Sequence, residues 1–248
     1  MLSKPPHIAS AHIDIGSTLY KWDEWNVKKA YQPAEPQRIA RFAALSHRAN
    51  VAMCAATAEW VIWRFEKLSN DPTPYQYLEA AWASIVHNAY ARYIETVDDD
   101  WRGVVRGPMN IALLILIDVI WGIEDTTPGE NAAWMTNLAE LVLPDPAPLR
   151  AWQEPCLARL EAHYARAEPD PDDMFGRVGL GPWVPRELFD LTRPFDPSMT
   201  RGYLQRFLNT LDWRSNRFLH RPEEMLAFND YQDTPYELPE DDSLNRPS

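Results

Sequence analysis

The segment 51-VAMCAATAEWVIWRFEKL-68 is apolar on nearly every side until Arg64. Wound as a helix, such a stretch offers water no face of its own, so it belongs near the middle of a fold with other elements covering it all round. Those covering elements read as helices too. Residues 37–49 place apolar side chains at 39, 42, 43 and 45/46, a helical spacing, with Pro36 suited to an early helical position and Asn50 to the cap of the central segment. After the turn 69-SNDPTP-74 a third helix is expected over 74–95, and Pro108 is expected to open a fourth that runs to about Glu124. Further helices are expected over 131–143, over 149–167 with a kink at Pro155, and over 199–213, with a short helical stretch near 186–191.

The two ends differ in texture. Residues 1–33 read as an irregular segment with a short strand around 12-HIDIG-16 and an aromatic cluster of Tyr20, Trp22 and Trp25. Residues 221–248 read as an acidic, Pro-rich extension; the stretch 228–238 keeps aromatic and leucine anchors for docking, and 239–248 has the composition of a disordered end. The expectation is an all-α fold, a single helical domain over 1–220 built from about six to seven helices, with 221–248 as a partly docked tail.

One pattern recurs. Residues 61–66 read VIWRFE and 119–124 read VIWGIE; each ends an apolar run, and each is followed by a proline-bearing gap and then by Ala-Ala-Trp, at 80–82 and 132–134. Trp63 and Trp82 stand 19 residues apart, Trp121 and Trp134 only 13. Two related helical hairpins account for this, as does chance recurrence in a Trp-rich chain, and two copies are too few for a stacked repeat array.

Charge narrows the partners. The net formal charge is −12, spread as +3 over 1–50, −6 over 51–125, −3 over 126–220 and −6 over 221–248. Such a surface repels nucleic acid and anionic membranes, which proteins meet mainly with Lys and Arg, and attracts a basic protein. The longest apolar run, 109–123, carries Asp118 and spans fifteen residues, against the roughly twenty that a bilayer crossing needs, so it reads as a buried helix. Cys54 and Cys156 both fall inside expected helices and read as small buried hydrophobes. With no secretory pattern at the N-terminus, the expected location is the cytoplasm, and the abundance of Arg over Lys, 19 to 5, resembles the product of a GC-rich bacterial genome.

Several short motifs invite a chemistry. Residues 14-DIGST-18 with Lys21 resemble the first phosphate-binding turn of the actin and sugar-kinase superfamily. That resemblance implies a nucleotide site, but the superfamily also needs alternating strands and helices and a second glycine-rich loop, whereas the next 130 residues read as helix. The six histidines, at 7, 12, 47, 87, 163 and 220, form no metal-ligand spacing, and neither acid cluster matches a calcium loop. No cofactor, metal or nucleotide is therefore expected. Glu59 and Asp118 fall among apolar neighbours on their helices, so each needs a partner or a proton. Facing one pocket together with Arg64, Arg92 or His87, they would suit general acid–base hydrolysis; structural ion pairs, or a route to the surface, are their commoner fate.

The leading functional expectation is thus a binding module: an acidic bacterial protein of the immunity type, which neutralises a cognate toxin or effector by direct contact. The residues expected to meet that basic partner are Asp98, Asp99, Asp100 and Trp101 in one loop, and Glu168, Asp170, Asp172 and Asp173 in another. An all-helical hydrolase using Glu59, Asp118 and His87 is the alternative, and a helical scaffold or regulatory protein is the third reading.

Overall fold

The computed structural model describes residues 2–96, 100–122, 129–167, 180–229 and 231–240. Seven helices of eight residues or more make up most of it: α3 (Pro36–Ala43), α4 (His47–Arg64), α5 (Thr73–Ser84), α6 (Gly103–Trp121), α7 (Glu130–Val142), α8 (Ala147–His163) and α9 (Thr200–Thr210). Three single turns, α1 (Pro6–Ser10), α2 (Lys28–Tyr31) and α10 (Pro222–Met225), complete the set, and the described residues contain no strand. The fold is all-α.

The central helix is where its composition puts it. In α4 every residue from Arg48 to Arg64 is buried, with α6 and α7 as its main neighbours and α5 beside them. Ala52, Ala55, Ala56 and Ala58 are all buried, and their small side chains let these neighbours come close. Helix α6 is the one described helix long and apolar enough to cross a bilayer, with a mean hydropathy of 1.8 over its window, and it lies packed against α4, α5 and α7.

Helix boundaries depart from the expected ones for local reasons. Ser46, not Asn50, caps α4: its Oγ accepts from the Ala49 amide at 3.3 Å. Asn50 lies one turn inside, where its Nδ2 donates to the Phe42 and Leu45 carbonyls at 3.0 and 3.3 Å. It thereby satisfies the C-terminal end of α3, whose last carbonyls have no partner within their own helix. The helix expected over 74–95 stops at Ser84, because His87 takes an extended backbone and its Nδ1 accepts from the Ala89 amide at 3.0 Å. Such local side-chain bonding competes with helix continuation. The chain then pairs with 218–220, through Arg92 N to Phe218 O at 2.8 Å and His220 N to Tyr90 O at 3.0 Å.

Pro108 does not open α6; it sits inside it. A proline leaves the carbonyl four residues earlier without its amide donor. That carbonyl belongs to Val104, and the hydroxyl of Tyr20 donates to it instead. Trp22 lies against Gly107, where an added Cβ would collide with the indole nitrogen, and Glu24 accepts from the Gly103 amide. The aromatic segment 20–24 is therefore a strap along the first turns of α6. The strand expected at 12–16 is absent: His12 has a φ of 50°, and Ile13 is buried in the core.

The two Val-Ile-Trp copies end α4 and α6, and the two Ala-Ala-Trp copies lie in α5 and α7. All four alanines are buried. The tryptophans part company: Trp82 donates to Glu59 at 2.7 Å, whereas Trp134 is half-buried with its ring edge-on to Tyr31. Near the C-terminus, Tyr236 stacks on Tyr90 at 5.1 Å, and the Leu238 amide donates to Gln205 at 2.8 Å.

Candidate functional site

Glu59, one of the two acids set among apolar neighbours, is 2% exposed. Arg186 grips both its oxygens, Nε to Oε1 at 2.8 Å and Nη2 to Oε2 at 2.9 Å, and Trp82 Nε1 donates to Oε1 at 2.7 Å. The carboxylate is thus fully engaged as an ion pair, the arrangement a buried charge requires. It borders a cavity of about 410 Å³ between α4, α5, α9, residues 186–193 and the N-terminal segment. His7 borders the same cavity, stacked on Trp152 at 4.9 Å. Its Nε2 is buried and has no protein partner among the described residues. Burial, reinforced by the Arg186 charge, brings its pKa down to about 4 against a smaller opposing pull from Asp190, so the ring is neutral at pH 7.

Asp118 is not buried, contrary to expectation. Of the apolar residues expected beside it on α6, Ile115 is buried, whereas Ile111, Leu114 and Trp121 are half-buried on the outward side with Asp118. There it lines a second depression, an open groove of about 390 Å³ shared with Tyr93, Trp121, Glu130 and Trp134. Glu59 and Asp118 therefore border different cavities. No Lys, Arg or His lines the groove among the described residues. Tyr93 is 58% exposed, its ring 6.1 Å from that of Trp121, and its hydroxyl donates to Glu95 at 2.6 Å. That bond and the Glu95 charge, with smaller contributions from desolvation and the Asp118 charge, hold the phenol above its usual pKa, a sign of the negative potential here. The buried indole nitrogen of Trp121 has no partner among the described residues. Acid and aromatic faces together can hold an ammonium or guanidinium by charge and by cation–π attraction.

The other expected residues are placed as follows. His87 is buried and hydrogen-bonded to backbone, in the core rather than with Glu59 or Asp118. Asp100 is exposed. Trp101 turns inward, 6% exposed, beneath the guanidinium of Arg106 at 4.7 Å, which also pairs with Asp71. Asp98, Asp99, Glu168, Asp170, Asp172 and Asp173 lie outside the described residues. Arg64 reaches neither acid; it donates to the backbone carbonyls of Ile15, Ser17 and Val142. The 14–18 turn consequently presents carbonyls to a cation, the reverse of the amide cradle that holds a phosphate. Asp14 is itself paired with Lys4 and Lys67. Among the described residues no group of three or more His, Cys, Asp or Glu is placed to hold a metal ion. Cys54 and Cys156 are buried, and desolvation raises both thiols, the latter to about 12.

Sequence reasoning missed Arg186, His7, Tyr93 and Trp134 as members of these two sites. Only the second Ala-Ala-Trp, which placed Trp134 one step beyond an apolar pair, carried any signal. No family model, curated protein or solved structure matches this chain.

Proposed function

We propose that this chain is an acidic protein-binding module of the immunity type, which neutralises a toxin or effector by seating a basic side chain of that partner in the groove around Asp118. One observation carries the reading: Tyr93, Trp121 and Trp134 line a groove together with the carboxylates of Asp118 and Glu130. Aromatic anchors beside acidic side chains suit capture of a basic partner, the rings holding it once bound and the charge speeding its arrival. The net charge of −12 supplies the long-range field, with Asp100 and the loop acids 98, 99, 168, 170, 172 and 173 as further contributors. A bacterial, cytoplasmic setting belongs to the same reading.

The hydrolase alternative is weakened by the geometry. Paired catalytic carboxylates need to converge on one substrate bond, roughly 5–10 Å apart; Glu59 and Asp118 border separate cavities, and Glu59 is held in a bidentate ion pair.

The test is survival. Cells expressing the toxin encoded beside this gene are expected to grow when this chain is co-expressed, and to lose that protection with Asp118→Lys. Unprotected cells, together with no complex between the purified pair, would reject the proposal.

A further inference from the structure

The walls of the groove around Asp118 suit one particular kind of cation. Tyr93 and Trp121 set their ring planes at 70° with centroids 6.1 Å apart, two sides of an aromatic corner. Asp118 precedes Trp121 by three residues on α6, a spacing that brings two side chains onto one helix face, roughly 5–6 Å apart at Cβ. Trp134 borders the same groove, edge-on to Tyr31 at 6.3 Å. Burial raises the Tyr31 phenol and the Asp118 charge adds to it, so that charge reaches the Trp134 side as well. Helix α6 ends here at Trp121 with the negative end of its dipole, and Glu130 in the first turn of α7 answers the opposite dipole of that helix.

Ring faces and negative charge are thus gathered, but the hydrogen-bonding groups beside them are already in use. The Asp118 carboxylate has an interaction of its own, and the Tyr93 hydroxyl is bonded to Glu95 at 2.6 Å. A small primary ammonium gives up strongly held water and needs an acceptor for each N–H it brings. An ammonium whose hydrogens are all replaced by carbon needs none: it presents a cationic but apolar surface, which aromatic faces hold by cation–π attraction. The lysine or arginine of a protein partner arrives with the rest of an interface behind it, whereas a free ion has only the groove. At about 390 Å³ the groove falls in the lower part of the range for small-ligand sites, roughly 300–1,000 Å³.

We infer that this groove binds a small quaternary ammonium ion of the choline class, its methyl groups against Tyr93 and Trp121 and its charge facing Asp118. The inference rests on the same cation-holding groove as the proposed function but requires no protein partner, and the free ion and a partner's basic side chain exclude each other there.

The experiment is calorimetric titration of the full chain with choline, with ethanolamine as its primary-ammonium counterpart, and with 3,3-dimethylbutan-1-ol as its uncharged isostere. Choline is expected to bind with a Kd of about 1 mM or tighter, and the other two at least about tenfold more weakly. Tyr93 is 58% exposed and Asp118 is exposed, so both can be replaced with the fold intact, as melting temperatures check. Tyr93→Leu is expected to weaken choline about tenfold, Tyr93→Phe, which keeps a ring, by about threefold or less, and Asp118→Asn by about tenfold. No heat from choline at ~10 mM, ethanolamine or the isostere binding as tightly as choline, or unchanged choline affinity in Tyr93→Leu or Asp118→Asn would overturn the inference. Binding of N-acetyl-trimethyllysine amide at least about tenfold tighter than choline would overturn it in favour of a methylated side chain. Choline binding without protection from the toxin rejects the partner and keeps the ion; protection without choline binding does the reverse.

Discussion

Arg186 reaches across 127 residues of sequence to close a two-point grip on Glu59, with both N–O distances under 3 Å. Removing Arg186 leaves Glu59 buried without its countercharge. Arg186→Met is expected to destabilise the fold by about 3–5 kcal/mol, whereas Glu59→Met combined with Arg186→Met recovers at least about half of that loss, because two apolar side chains need no partner. Urea unfolding of the two single variants and the double variant checks this. A double variant as unstable as the sum of the singles would show that the two side chains act separately.

Tyr20 and Pro108 form a second testable pair. The phenol supplies the Val104 carbonyl with the donor that Pro108 lacks. Tyr20→Phe is expected to cost about 1 kcal/mol. In a Pro108→Ala background, where residue 108 regains an amide, the same change is expected to cost about half as much or less. Equal costs in the two backgrounds would mean that the hydroxyl does not replace the missing helical bond.

Two histidines set an acid limb of stability. Burial lowers the pKa of His7 and of His47 from 6.5 to about 4; Arg186 adds to it at His7, while Asp190 opposes. At His47 the neighbouring charges of Arg48 and Arg166 add to the lowering, and a backbone bond at Ile120 opposes it. Between pH 6.5 and pH 4 the unfolded chain therefore binds more protons than the folded one, so stability falls as the pH drops through that window. The displacement corresponds to at most about 3 kcal/mol for each ring. His7→Gln and His47→Gln are each expected to flatten part of the fall in unfolding free energy, measured by urea titration at a series of pH values. Depressed carboxylates such as Asp14 and Asp190 act only lower, below their ordinary 3.8.

Charge reversal in the groove separates steering from packing. Asp118→Lys is expected to slow association with a basic partner about tenfold at low salt and to flatten its salt dependence, with little change in the fold because the side chain is exposed. Trp134→Ala is expected instead to speed dissociation, by roughly thirtyfold for a central aromatic anchor. Stopped-flow association and dissociation rates for the two variants distinguish these outcomes.

Residue pattern alone was enough to bury α4, because a helix without a polar face has to be covered whichever way it is turned. The same absence of polarity hid the setting of α6. With apolar residues all round, nothing local fixes its rotation, and Asp118 with Ile111, Leu114, Ile115 and Trp121 looked like a core stripe until packing against α4, α5 and α7 buried Ile115 and left the others half-buried or exposed. His87 likewise sat in a sequence with helical spacing, and only pairing with 218–220 stabilised the break there.

What the amino-acid order determined by itself was the helical class, the central place of the stretch 51–64 and the burial of the two cysteines, all properties of periodicity and hydrophobicity over a few turns. What the tertiary structure decided was which charges meet. The pairing of Glu59 with Arg186, the separation of Glu59 from Asp118 and the gathering of Tyr93, Trp121 and Trp134 around one groove join residues from different helices and connecting segments. Their meeting depends on how helices rotate and pack, and neighbours in sequence carry almost none of that information.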